Sequence, residues 1–141
     1  MFAFCFVLTG CGEKNIEGSL PDIMTKLYEG ISEEEKPMML DNIELNSENF
    51  EYYAFADVKY KEAIASEAMT GATPHSVVLI RLENAKDSEQ VVKEIKEKAN
   101  PRKWICVEAE NTYVVSKGDL VVLIMSNELA PKIKENFEKL S

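Results

Sequence analysis

Two stretches rich in β-branched residues constrain this chain more than anything else in it. Ser76 to Leu82 carries Val77, Val78, Leu79 and Ile80 in line. Further on, Thr112 to Ser116 and Leu120 to Met125 flank Lys117-Gly118-Asp119. Valine and isoleucine crowd a helix at χ1 but pack well on a pleated surface, so all three runs are predicted strands. The last two form a tight hairpin, because Gly118 supplies the positive φ that such a turn requires.

Helices are predicted between and around these strands. Ser19 with Asp22 three residues on has the form of a capping box, which opens a helix from Leu20 to about Glu29. Its stripe is Ile23, Leu27 and Ile31, with Met24 and Tyr28 beside it and Gly30 as the stop. Asp87 with Gln90 opens a second helix to about Ala99, striped by Val91, Val92 and Ile95 and ended by Asn100-Pro101. Asn127 is the predicted cap of a last helix from Glu128 to about Leu140, with Leu129, Ile133, Phe137 and Leu140 inward. Tyr60 to Met69 reads as an edge strand or a helix, and Thr70 to His75 as a small-residue loop. Asn42 to Tyr53 is ambiguous, with Ser47 placed to cap a short helix carrying Phe50 and Tyr53. The order is helix-strand-strand-helix-strand-strand-helix. It predicts an α+β domain with one antiparallel four-stranded sheet and helices packed mainly on one face.

With 141 residues, 45% hydrophobic and 29% charged, the chain has the size and mix of one globular domain. The net charge of -9 argues against nucleic acid as a partner, since phosphate binding needs a basic face. From Glu13 to Glu51 there are 11 acidic and three basic residues, so nearly all the excess lies in the N-terminal third. This is read as a solvated acidic face. Glu33-Glu34-Glu35 lacks the alternate-position ligands and central glycine of a calcium loop.

Residues 1 to 10 form an uncharged apolar run, too short to span a bilayer, that leads into small residues in the manner of a secretory signal. Leu8-Thr9-Gly10-Cys11 resembles the bacterial lipobox. That resemblance implies cleavage before Cys11, a diacylglyceryl group on its sulfur, and anchorage at the outer face of the cytoplasmic membrane. The expected organisation is a truncated signal segment over 1–10, a polar tether over 11–18 and a single domain over 19–141. Signals open on Lys or Arg, which residues 1 to 10 lack, so Met1 is not expected to be the natural start. The alternative is a buried N-terminal strand ending in a Thr-Gly turn. With Cys5 removed and Cys11 lipidated, Cys106 would stand alone as a small buried hydrophobe, leaving no internal disulfide.

Little else in the sequence carries chemistry. His75 is the one histidine, expected in a solvated loop, and no spacing joins it to Cys106 or carboxylates as a metal site. His75 and Ser76 are adjacent, so on a strand they point to opposite faces and make no catalytic pair. No catalytic residue, metal or cofactor is assigned. Trp104 beside Arg102 and Lys103 is a candidate contact for a glycan or lipid headgroup, against the alternative of an indole that caps the core. Tyr52, Tyr53 and Tyr60, with Phe50 and Phe55, read as amphipathic core. Met38, Met39 and Leu40 are expected in the core rather than on a partner-facing patch.

The order of elements is similar to that of a family of uncharacterised lipoproteins from clostridial-type Gram-positive bacteria, known only as a domain of unknown function. Leu8-Thr9-Gly10-Cys11-Gly12, the helix with Ile23 and Leu27, and Ser76-Val77-Val78-Leu79-Ile80 leading to Ala85-Lys86-Asp87 carry the resemblance. So does Lys117 to Ser126. It covers most of Cys11 to Leu140 and implies no catalytic residues. The leading expectation is a membrane-anchored, non-enzymatic module that binds an envelope protein or a small ligand. The alternative is a small cell-envelope hydrolase using carboxylates or His75. A transporter's solute receptor, normally two domains closing on a ligand, does not fit one domain.

Overall fold

The computed structural model describes residues 15–70, 73–104 and 107–141. The expected signal segment, Cys11 and Cys106 lie outside the described residues. Helix α1 spans Leu20–Leu27, β1 Leu40–Glu44, α2 Phe50–Ala54, β2 Glu62–Ala68 and β3 Ser76–Arg81. A 3-10 turn over Ala85–Asp87 leads into α3, Ser88–Lys98; β4 (Asn111–Lys117), β5 (Leu120–Ser126) and α4 (Ala130–Glu138) complete the domain. The five strands form one antiparallel sheet in the order β1-β2-β3-β5-β4. The α+β class holds, with one strand more than expected.

The additional strand is β1. Only Leu40 and Ile43 are half-buried in it, because it forms the sheet edge and Asp41, Asn42 and Glu44 stay in water. An edge strand with two apolar residues in five leaves almost no periodic signal. The sheet also settles Tyr60 to Met69 as strand β2, whose Ile64 and Ala65 serve opposite faces.

Helices cover both faces of the sheet, not mainly one. On the first face, α1 and α4 bury Ile23, Leu27, Ile133 and Phe137 against Val77, Leu79, Val122 and Ile124. On the second, α2 and α3 bury Phe50, Val91 and Ile95 against Val78, Ile80, Leu123 and Met125. The central strands β3 and β5 are buried along their whole length, which is why they read as continuous apolar runs rather than alternating ones. Such runs signal a sheet with two covered faces. Phe137 is wholly buried, and a side chain of that size contributes about 1.5–3 kcal/mol through its removal from water.

The helix ends show which caps are used. The Ser19 hydroxyl accepts the Asp22 amide at 3.3 Å, as expected for α1. Asp87 makes no side-chain cap; Asn84 accepts the Lys86 amide at 3.0 Å and opens the preceding 3-10 turn instead. Asn46, not Ser47, organises the turn before α2, its side-chain oxygen taking the Glu48 and Asn49 amides at 2.8 and 3.2 Å. Asn127 does not cap α4 with its side chain. Its Oδ1 accepts the Glu110 amide at 2.9 Å and thereby holds the entry to β4. Met38 and Met39 are 80% and 68% exposed, so of that trio only Leu40 packs against the core.

The domain begins earlier than Ser19. Ile16 is buried in the first core. Its amide donates to Asp119 Oδ1 at 3.2 Å, and its carbonyl accepts from Arg81 Nη1 at 2.6 Å. Arg81 Nη2 donates to the Gly18 carbonyl at 2.6 Å. Arg81 also pairs with Asp119 and Glu62 at 2.9 Å each, so four of the five donors of its planar fork are used. Ile16 to Gly18 are therefore clasped to one end of the sheet and are not tether.

Candidate functional site

Apart from Asn136, which joins α4 to the Leu27 and Glu29 carbonyls, the remaining buried polar groups gather at the opposite end of the sheet. His75 is fully buried just before β3 and faces α1. The strand register explains this: Ser76 pairs with Met125, which brings His75 level with Ser126 of β5. His75 Nδ1 lies 2.7 Å from Ser126 Oγ, and Nε2 lies 2.7 Å from the Tyr28 hydroxyl. Tyr28 in turn lies 2.8 Å from Ser66 Oγ. The expected solvated histidine is thus at the centre of a four-residue chain, reached by Tyr28 from the end of α1.

A neutral imidazole has one donor and one acceptor, so the chain is satisfied in either direction, Ser66 toward Ser126 or the reverse, with the tautomer setting which. Burial holds the His75 pKa down to about 4. Burial also raises the Tyr28 phenol well above its ordinary value, outweighing its hydrogen bond to Ser66. Both rings are therefore neutral at pH 7.

The chain joins two hollows. Ser126 borders one of about 680 Å³, together with Glu34, Glu35, Glu110, Glu128 and Lys132. Tyr28 and Ser66 border another of about 520 Å³, with Glu29, Lys36, Asp41 and Asn42. Among the described residues, no cluster of His, Cys, Asp and Glu has metal-binding geometry.

The second face carries a different constellation at the same end. Glu67 is buried and Lys103 half-buried with its side chain covered, and the two lie 3.0 Å apart. The Lys103 ammonium lies 5.0–5.9 Å from the ring centres of Tyr52, Tyr53, Phe55 and Trp104. Burial lowers the Lys103 pKa despite the opposing pull of Glu67. Trp104 is half-buried against the second core, and its indole N–H, like the Ser76 hydroxyl, is buried without a partner among the described residues.

The candidate trio is therefore split. Lys103 and Trp104 are brought together with aromatic side chains, while Arg102 is exposed and faces Glu108 at 3.8 Å. The trio does not form an exposed tryptophan beside two free cations. Phe50 and Tyr60 stack in the core at 4.1 Å, whereas Tyr52 is 64% exposed. Sequence reasoning missed Tyr28, Ser66, Ser126 and Glu67. Glu67 alone left a trace, as a charge among the small and apolar residues that follow Glu62 in the strand.

No protein-family model matches the chain, and no curated protein and no solved structure matches it significantly. Fold and site define an α+β domain with a five-stranded antiparallel sheet between two helical layers. No helix among the described residues is long and apolar enough to cross a membrane.

Proposed function

We propose that this protein is a lipid-anchored, non-enzymatic binding module on the outer face of the cytoplasmic membrane, held through Cys11. Its ligand would be an envelope protein or a small molecule taken at the hollow beside Ser126. The observation that carries this is the position of the clasp. Arg81 and Asp119 fix the chain at Ile16, five residues after Cys11, so a folded domain begins directly behind the lipobox-like tetrad. His75 supports the non-enzymatic half. Its other ring nitrogen meets a neutral phenol rather than a carboxylate, and a pKa of about 4 makes it a weak base near neutral pH.

In native cells the membrane fraction should contain a chain starting at Cys11 with the mass of a diacylglyceryl group, and Cys11→Ala should move it to the soluble fraction. A Cys11→Ala chain that stayed membrane-bound would end the anchoring proposal.

One observation favours a second reading, a small envelope hydrolase. Ser126 and His75 are 2.7 Å apart at the edge of the larger hollow, the spacing of a nucleophile and its base. A fluorophosphonate probe separates the two. The binding module leaves Ser126 unlabelled, and a Ser126 adduct abolished in His75→Gln would establish the hydrolase.

A further inference from the structure

We infer that the anchored domain stands upright on the bilayer, its Arg81 end against the lipid headgroups and its His75 end outward; this rests on the lipid-anchor reading above. Ile16 lies five residues beyond Cys11, and an extended chain of five steps spans at most about 18 Å. Ile16 cannot drift from the sheet, because Asp119 takes its amide and Arg81 its carbonyl, both inside the fold. The clasp end of the sheet is thus confined near the membrane surface. The six residues of β3 put about 20 Å between Arg81 and His75, so the hollow beside Ser126 lies a domain's height farther out.

The short tether alone would let the domain tip over, and charge opposes that. Around the clasp, Lys61, Arg81 and Lys117 are interspersed with Glu17, Glu44, Glu62, Glu83 and Asp119. At the far end Glu34, Glu35, Glu110 and Glu128 surround one hollow against Lys132. An anionic surface repels the more acidic far end more strongly than the mixed clasp end. Tether length and charge asymmetry therefore select the same orientation, and it leaves the hollow open to the cell exterior.

The test uses the full acylated chain in vesicles containing phosphatidylglycerol, with a benzophenone amino acid replacing either Lys61 or Glu128. Both positions are exposed, one at each end. Lipid photoadducts at position 61, and none above background at 128, are expected. Inserting about 20 Gly and Ser residues after Gly12, with a mean reach of about 25 Å, should abolish the difference without touching the fold. Equal adducts at both positions, or more at 128, on protein that carries the lipid and floats with the vesicles would overturn the orientation and leave the anchor standing. Protein without the diacylglyceryl mass would overturn both.

Discussion

Ser66 and Glu67, consecutive in β2, serve opposite faces of the sheet: Ser66 holds Tyr28 at 2.8 Å, and Glu67 holds Lys103 at 3.0 Å. The pleat of one strand thus places a neutral hydrogen-bonded chain and a charged, ring-lined pair back to back. Each is buried, and each responds differently to substitution and pH.

His75 makes stability fall in mild acid. Its folded-state pKa of about 4 lies below the ordinary 6.5, so the native state favours the neutral ring. Stability is complete above about pH 6.5 and declines as pH drops toward 4, by on the order of 3 kcal/mol in total. Urea midpoints measured across this range should sag for the wild type and stay flatter in His75→Gln. Parallel curves would contradict a buried neutral histidine.

Tyr28→Phe should cost about 1–3 kcal/mol at pH 7, because it leaves Ser66 Oγ and His75 Nε2 without their partner. Replacing an exposed ring such as Tyr52 by Phe should stay within about 0.5 kcal/mol. Chemical denaturation of the two variants provides the comparison.

Removing half of the Glu67–Lys103 pair is the more damaging change. Lys103→Ala strands a buried carboxylate and should cost about 3–5 kcal/mol. The double variant Glu67→Leu with Lys103→Met keeps the volume and discards both charges. It should recover most of that loss, and a double-mutant cycle on thermal unfolding would measure the recovery.

Arg81→Lys tests the clasp. A lysine cannot reach Glu62, Asp119, Ile16 and Gly18 together as the guanidinium fork does. Hydrogen exchange at the Ile16 amide should accelerate sharply, while amides in the middle of β3 remain protected. Uniform loss of protection would mean that Arg81 holds the whole domain rather than its first residues.

Met39 sits at φ 55, a left-handed conformation that costs an L side chain energy and glycine little. Since its side chain is mostly in water, Met39→Gly should raise stability by about 0.5 kcal/mol, read as a higher melting temperature. Met39→Val should lower it.

The elements with dense local patterns were legible in the sequence: the Val77–Ile80 strand, the Gly118 hairpin and the stripes of the long helices. Strand β1 was not, because an edge strand needs few apolar residues. The arrangement of helices on two faces was implicit in the unbroken apolar runs of β3 and β5, which alternate between cores as Val77, Val78, Leu79 and Ile80 do. The polar clusters were beyond reach for another reason. His75 finds Tyr28 47 positions away and Ser126 51 positions away, and nothing local marks either partner. A polar residue in a strand shows its burial only once its neighbours are placed.

The clasp also sets an order of events during synthesis. Ile16 is fixed by a carboxylate 103 positions later in the chain. Until that residue has emerged, Arg81 can take the Ile16 and Gly18 carbonyls but the Ile16 amide has no partner, and closing so long a loop is a late step entropically as well. A growing chain therefore completes the clasp on Ile16 only when the final hairpin is formed. The first residues of the fold are thus locked last, by a single arginine and its aspartate.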